Sequence, residues 1–195
     1  MDAFFPNLGF AWIYLGMLFT LLVIASGTDL RQYVIPKWIS LAALALGVIG
    51  NIVRGAWLGG EGRPVWMLSD NGAFVGALDG LLFAGAGFLV GFALFFLMWI
   101  LGVCGGGDVK LFAALGACVG AYNAILVLIV TLPLIFLFGM VQMMITIAQG
   151  NWGKIRASAT AIAGKTGVKP KRRVLGFSLP LTIATALVVL WVFRN

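Results

Sequence analysis

The chain runs from Gly80 to Gly107 without a single charged side chain, and other stretches are nearly as apolar. A helix needs about 20 apolar residues to cross the roughly 30 Å hydrocarbon core of a bilayer. Only 10% of all residues are charged, whereas a soluble domain has about 25%. In lipid, only helices and closed barrels satisfy their backbone polar groups. Because the apolar runs are continuous rather than alternating, the sequence predicts an all-α membrane protein.

The hydropathy fits a polytopic bundle of about six transmembrane helices, which forms a single integral-membrane domain over residues 1–195. The predicted spans are 9–28, 38–54, 80–101, 108–121, 124–148 and 174–193. A hydrophilic loop with Arg54, Glu61 and Asp70 separates the second span from the third. The longest hydrophilic segment, about 150–173, is too short for a soluble core of its own.

The basic residues orient this bundle by the positive-inside rule. With the amino terminus outside, ten of the 13 Lys and Arg residues fall in cytoplasmic loops, most of them between Lys154 and Arg173. Both termini are therefore predicted to lie outside. The segment before the first span has no Lys or Arg, so we expect that span to be retained rather than cleaved as a signal peptide. The 154–173 loop suits anionic lipid headgroups, and topology accounts for the basic balance without nucleic acid.

Some kinds of chemistry are excluded by composition. Histidine is absent, which rules out a histidine-based triad, a histidine metal site and a histidine proton relay. Cys104 and Cys118 do not form a CxxC pair, so they predict neither a zinc site nor a disulfide framework. We expect no metal and no cofactor. Any reaction must use carboxylates, hydroxyls, thiols, lysine or the backbone.

The chain has six acidic residues, of which Asp29 and Asp108 stand out. Asp29 ends the first span and Asp108 begins the fourth, so both lie at the cytoplasmic boundary, at the same depth. Ionisable groups at such positions are costly and often functional. The other four are assigned to the free terminus, the outer loop or the outer interface before the third span: Asp2, Glu61, Asp70 and Asp79.

A pair of adjacent carboxylates does not readily ionise twice, and the two groups can share one proton. One member then acts as general base on a water while the other donates a proton to the carbonyl oxygen of the substrate. Purely structural roles remain open for each residue taken singly. Asp108 could cap the helix that it begins, and Asp29 could pair with Arg31 at a helix end.

Three consecutive glycines precede Asp108: Gly105, Gly106 and Gly107. Glycine permits unusual backbone angles and close approach, so a substrate strand could lie against this backbone, although a flexible turn would use the same residues. The sequence GGGDVK lacks the spacing of a phosphate-binding loop. Lys110 could tune Asp108 or hold a substrate carbonyl, or simply be a positive-inside anchor, and Arg31 has the same two interpretations.

Two motifs resemble those of the type IV prepilin peptidases. The segment GGGDVKLFAALG, residues 105–116, is similar to the GxGD signature of that family. The segment DLRQYVIPKW resembles its first aspartate motif, D-x-R-x-x-x-I-P-N, through Asp29, Arg31, Ile35 and Pro36. Lys37 departs from this pattern, since asparagine is usual there. The resemblance covers residues 10–130, and the later spans are similar mainly in hydropathy.

This resemblance implies an intramembrane aspartyl protease of the bacterial inner membrane, with Asp29 and Asp108 as its catalytic pair. The implied substrates are prepilins, cut at the cytoplasmic membrane face between a basic leader and a hydrophobic helix. Many prepilin peptidases carry an insertion with paired CxxC motifs that is associated with N-methylation, and this chain has none. It thus resembles the short Tad/Cpa-type peptidases of Flp pili, and we expect proteolysis without methyltransferase activity.

Two alternatives remain open. The GxGD motif also occurs in presenilin-type proteases, so the substrates could be membrane proteins other than pilins. The two aspartates could instead form an ion or proton site in a small transporter. Transporter sites usually lie near the membrane midplane, whereas both acids are predicted at the inner face, which disfavours this third interpretation.

Overall fold

The computed structural model of the protein describes residues 5–32, 36–68, 72–102, 104–148 and 178–194. Within these ranges the chain is helical, with no strand. The helices are α1 (Leu8–Gln32), α2 (Lys37–Gly60), α3 (Ala73–Ile100), α4 (Gly106–Val119), α5 (Ala121–Ala148) and α6 (Ser178–Arg194). The basic segment 154–173 lies outside the described residues.

Helices α1, α2, α3 and α5 are long and apolar enough to cross a bilayer, and α6 is a shorter apolar helix. Many large apolar side chains are exposed on the outside of the bundle, among them Trp12, Phe74 and Phe136. In water such exposure would be unfavourable, whereas in a membrane these side chains contact lipid. The prediction of an all-α membrane bundle is confirmed.

The two largest differences from the predicted spans each involve a charged residue. Helix α2 continues to Gly60 instead of ending at residue 54, and α3 begins at Ala73 instead of residue 80. Arg54 and Asp79 therefore lie inside helices, where their side chains are buried. Asp79 lies in the second turn of α3, so its place at the outer interface stays a prediction. The two charges attract each other, and this compensation allows both to lie within apolar helices.

Glycines bring α2, α3 and α4 into direct backbone contact. A Cβ on Gly55 would collide with the carbonyl oxygen of Gly76, and a Cβ on Gly87 would collide with that of Gly116. Each of these glycines has another glycine four positions later: Gly59, Gly80, Gly91 and Gly120. This is the small-xxx-small pattern that lets membrane helices approach closely. This glycine spacing is visible in the sequence and is typical of helix interfaces such as those between α2 and α3 and between α3 and α4.

Helix α4 lies at the centre of the bundle. Between Asp108 and Val119 every residue except Lys110 is buried. The Tyr14 hydroxyl of α1 donates to the Cys118 carbonyl oxygen at 2.9 Å, and the Asn51 amide of α2 donates to the Ala117 carbonyl oxygen at 2.9 Å. These bonds fix the carboxyl end of α4, and thereby the depth of Asp108 at its amino end.

Asp79 anchors the segment that follows α2. Its carboxylate accepts hydrogen bonds from the backbone N–H groups of Trp66, at 2.7 Å, and Met67, at 3.1 Å. The Arg54 guanidinium lies 4.6 Å from the centre of the Phe83 ring and is attracted to Asp79. Asp79 therefore has a structural role at the end of the bundle opposite to that of Asp108.

We expect Asp79→Asn to lower the free energy of unfolding by about 1–3 kcal/mol, because it removes the charge that accepts two backbone hydrogen bonds and faces a buried guanidinium. Thermal unfolding in detergent measures this loss. The matched control is Glu61→Gln, a change at an exposed acid at the start of the segment that Asp79 anchors, which should leave the unfolding temperature unchanged. Equal unfolding temperatures for the two variants would contradict the anchoring role of Asp79.

Candidate active site

Asp108 lies in the first turn of α4 and folds back onto the residue that caps this helix. Gly105 occupies the N-cap position with extended backbone, φ −86° and ψ 155°. Its N–H donates to Asp108 Oδ2 at 3.0 Å. A negative charge is favourable at a helix amino terminus, so Asp108 stabilises the start of α4. The N-cap residue itself is Gly105, not Asp108. Its other oxygen, Oδ1, accepts no hydrogen bond from the described residues.

Gly105 and Gly106, which precede this aspartate, differ in the room beside their backbone. A Cβ on Gly105 would lie 3.2 Å from Asp108 Oδ2, and a Cβ on Gly106 would meet only the Trp99 indole nitrogen, at 3.8 Å. None of Gly105, Gly106 and Gly107 has a positive φ, whereas Gly102 does, with φ 74°. The expectation of unusual backbone angles at Gly105–Gly107 is therefore wrong. An added Cβ would crowd the Asp108 carboxylate at Gly105 but not at Gly106, and the positive φ in this region is at Gly102.

Asp29 lies in the last turns of α1 and accepts a hydrogen bond from a residue near the other end of the sequence. The Ser178 hydroxyl, at the amino end of α6, donates to Asp29 Oδ2 at 2.5 Å. One turn before Asp29, the hydroxyls of Ser26 and Thr182 are 2.8 Å apart. A line of polar side chains thus joins α1 to α6. As in Asp108, the Oδ1 atom of Asp29 accepts no hydrogen bond from the residues that the structure covers.

The structure brings the two aspartates to one end of the bundle, although 79 positions separate them in the sequence. Both are 8% exposed, and their carboxylates are close enough to repel each other electrostatically. Each has one oxygen that accepts from a protein donor and one that accepts no hydrogen bond from the part of the chain that the structure describes. Such a pair can hold and transfer a proton, because repulsion opposes ionisation of both members at once.

Lys110 and Arg31 are the two basic residues predicted to support the site, and the structure describes the side chain of Lys110. Lys110 is exposed and makes no ion pair with Asp108, so its position suits a charge at the membrane surface. Arg31 belongs to the last turn of α1, and its side chain lies outside the described residues. Cys104 and Cys118 are both buried and free. No group of three or more potential metal ligands occurs in the described ranges.

Sequence reasoning missed Ser178. Serine at the start of a helix usually caps that helix, and nothing local indicates a partner 149 positions earlier. One available signal was the spacing of Ser178 and Thr182, which places two hydroxyls on one face of an otherwise apolar helix. Ser26 and Asp29, three residues apart, likewise share one face of α1.

The fold and the site together define a helical membrane protein with a buried pair of carboxylates at one end. The model of the type IV leader peptidase family matches residues 16–148, more than half of the chain, including both aspartates. The chain belongs to this family, and it is a protease of the type IV leader peptidase kind. No match was found among curated proteins or solved structures. Helix α6, with Ser178, lies beyond the matched residues.

Proposed function

We propose that the protein is an intramembrane aspartyl endopeptidase that removes the basic leader from Flp/Tad-type prepilins. Asp29 and Asp108 are its catalytic pair. The observation that carries this proposal is that two buried carboxylates, one from each aspartate motif, lie within electrostatic range of each other, and each has one oxygen that accepts no hydrogen bond from the described residues. A single buried aspartate would be explained by helix capping or by a tie between helices, but two repelling carboxylates at one place need a further reason.

The proposed reaction uses a water bound between the free oxygens. The ionised carboxylate takes a proton from this water, whose oxygen forms a bond to the carbonyl carbon of the scissile peptide. The protonated carboxylate gives its proton to the carbonyl oxygen. Collapse of this intermediate breaks the C–N bond, and a proton passes to the leaving amine. The products are a free leader and a mature pilin, and one proton remains on the pair for the next cycle.

In this proposal, the backbone at Gly105 and Gly106 lets the substrate polypeptide approach the two aspartates closely. A helical peptide bond is shielded by its own hydrogen bonds, so the substrate must unwind where it is cut. An unwound segment can lie against a backbone that has no side chains. We place this site at the cytoplasmic face of the bacterial inner membrane, with both termini outside and the 154–173 loop against anionic lipid headgroups.

The proposed activity is tested by co-expressing the protein with an Flp-type prepilin and determining the mass of the product. We expect a shortened pilin whose new amino terminus lies between the basic leader and the hydrophobic helix. Because the chain has no paired CxxC insertion, this terminus should lack the added mass of a methyl group. The matched control substrate is a single-span membrane protein of similar length without a basic leader, which should remain intact.

Other outcomes assign the site differently. Cleavage of both substrates would favour a GxGD protease with a broader range of membrane substrates. If several candidate prepilins and the control all stay intact, the proposed peptidase activity fails on them. A proton or ion site in a transporter is then the next hypothesis to test. A methylated product would contradict the expected absence of methyltransferase activity.

A further inference from the structure

We propose that Ser178 is a positioning residue for Asp29, and that α6 thereby completes the active site from outside the matched region. The inference rests on the proposed function, because it assigns Asp29 a part in catalysis. The Ser178 hydroxyl donates to Asp29 Oδ2 at 2.5 Å, and Ser178 is 1% exposed. Hydrogen bonds between a hydroxyl and an ionised carboxylate are this short and are about twice as strong as neutral ones.

The bond fixes which oxygen of Asp29 is available to the reaction. With Oδ2 engaged by Ser178, the carboxylate cannot rotate freely, and Oδ1 remains without a donor among the described residues. The corresponding contact at Asp108 is the Gly105 N–H, which also engages Oδ2. The two carboxylates are thus held alike, one by a backbone donor of its own helix and the other by a side chain from α6.

A hydroxyl suits a group that changes its protonation state. Serine can donate to an ionised carboxylate and accept from a protonated one, so the contact persists while the proton moves between the aspartates. A backbone N–H or a lysine could only donate. Among the described residues the Ser178 hydroxyl donates only to Asp29, and the bond from Thr182 is accepted by the main-chain carbonyl of Ser178.

A purely structural alternative is that Ser178 only ties α6 to α1. The chain supplies a control for this, because Ser26 and Thr182 join the same two helices through hydroxyls 2.8 Å apart. Ser26 lies on the helix of Asp29, one turn away, and is also buried. Ser26→Ala removes a hydrogen bond between the same two helices and leaves the contact of Asp29 with Ser178 in place. If Ser178 only joins the helices, the two alanine variants should behave alike. If it positions the carboxylate, only Ser178→Ala should lose activity.

The experiment compares Ser178→Ala, Ser178→Thr and Ser26→Ala with the unmodified protein in cleavage of a purified prepilin. Rates are expressed per folded enzyme, measured by size exclusion. We expect Ser178→Ala to lower kcat by about 10–100-fold, as a misplaced catalytic group does, with KM changed less than about threefold because substrate contacts remain. Ser178→Thr should recover most of kcat since it keeps a hydroxyl. Ser26→Ala should retain kcat.

Several results would overturn the inference. One is a Ser178→Ala variant with normal kcat, and another is a Ser26→Ala variant that loses as much as Ser178→Ala. Failure of Ser178→Thr to exceed Ser178→Ala would also contradict it. Should Ser178→Ala not fold, Ser178→Cys preserves the volume with a weak donor, and full kcat in that variant would refute the role. If the unmodified protein cuts no prepilin, the proposed function itself fails, which is a distinct result.

Discussion

Asp29→Asn and Asp108→Asn are each expected to lower kcat/KM for prepilin cleavage by at least about 10³-fold, because loss of a general acid or base removes a proton transfer that the reaction requires. Asparagine keeps the shape of the side chain and one acceptor oxygen. The contacts from Ser178 and from the Gly105 N–H can therefore persist in the variants. What disappears is the ability to take up and release a proton.

The control for this pair is Glu61→Gln, the same chemical change at an exposed acid outside the site. Its cleavage rate should equal that of the unmodified protein. Each variant must elute as a folded species in detergent, since Asp29 and Asp108 are buried and could affect folding. A folded single variant that still cuts at an ordinary rate would show that the reaction does not need two carboxylates.

The double variant gives a sharper test of the pair as a unit. When two residues act in one proton transfer, removal of the second costs little once the first has been removed. We therefore expect Asp29→Asn combined with Asp108→Asn to be about as inactive as either single variant. If the losses multiply instead, the two residues contribute independently, and a shared water between them is excluded.

The proposed catalytic pair follows from the sequence, whereas the contact of Asp29 with Ser178 does not. Asp29 and Asp108 interrupt apolar stretches, and charge in such stretches is conspicuous because lipid penalises it. Ser178 gives no such signal, since a hydroxyl at a helix start is common and costs little. Its partner depends on how α6 packs against α1, which is a property of the tertiary fold.

The helices themselves could be predicted, but several of their ends could not, and the two largest differences are in α2 and α3. Hydropathy treats a charge as a boundary, so Arg54 and Asp79 moved the predicted ends of α2 and α3 into what are continuous helices. The compensation between these two charges appears only once the helices pack. Glycine pairs four residues apart mark where α3 contacts α2, at Gly76 and Gly80, and where it contacts α4, at Gly87 and Gly91.

Gly87→Ala is expected to have the largest effect on stability, with a loss of about 3 kcal/mol or more in the free energy of unfolding, at the upper end of overpacking costs. The added Cβ would collide with the carbonyl oxygen of Gly116 and approach the Gly120 Cα to 2.9 Å. Backbone atoms cannot rotate away as a side chain can. Helices α3 and α4 must therefore separate, and α4 carries Asp108.

The matched control is Gly85→Ala, the same added methyl group on the same helix two residues earlier. A Cβ there meets no atom within 4 Å, and replacement of glycine by alanine within a helix is then neutral or stabilising by up to about 1 kcal/mol. Thermal unfolding in detergent compares the two variants.

Gly116→Ala places its Cβ against the Gly87 carbonyl oxygen and should be as damaging as Gly87→Ala. If Gly87→Ala and Gly85→Ala unfold at the same temperature, α3 and α4 do not pack backbone to backbone. The depth of Asp108 must then be set by the bonds of Tyr14 and Asn51 to the far end of α4.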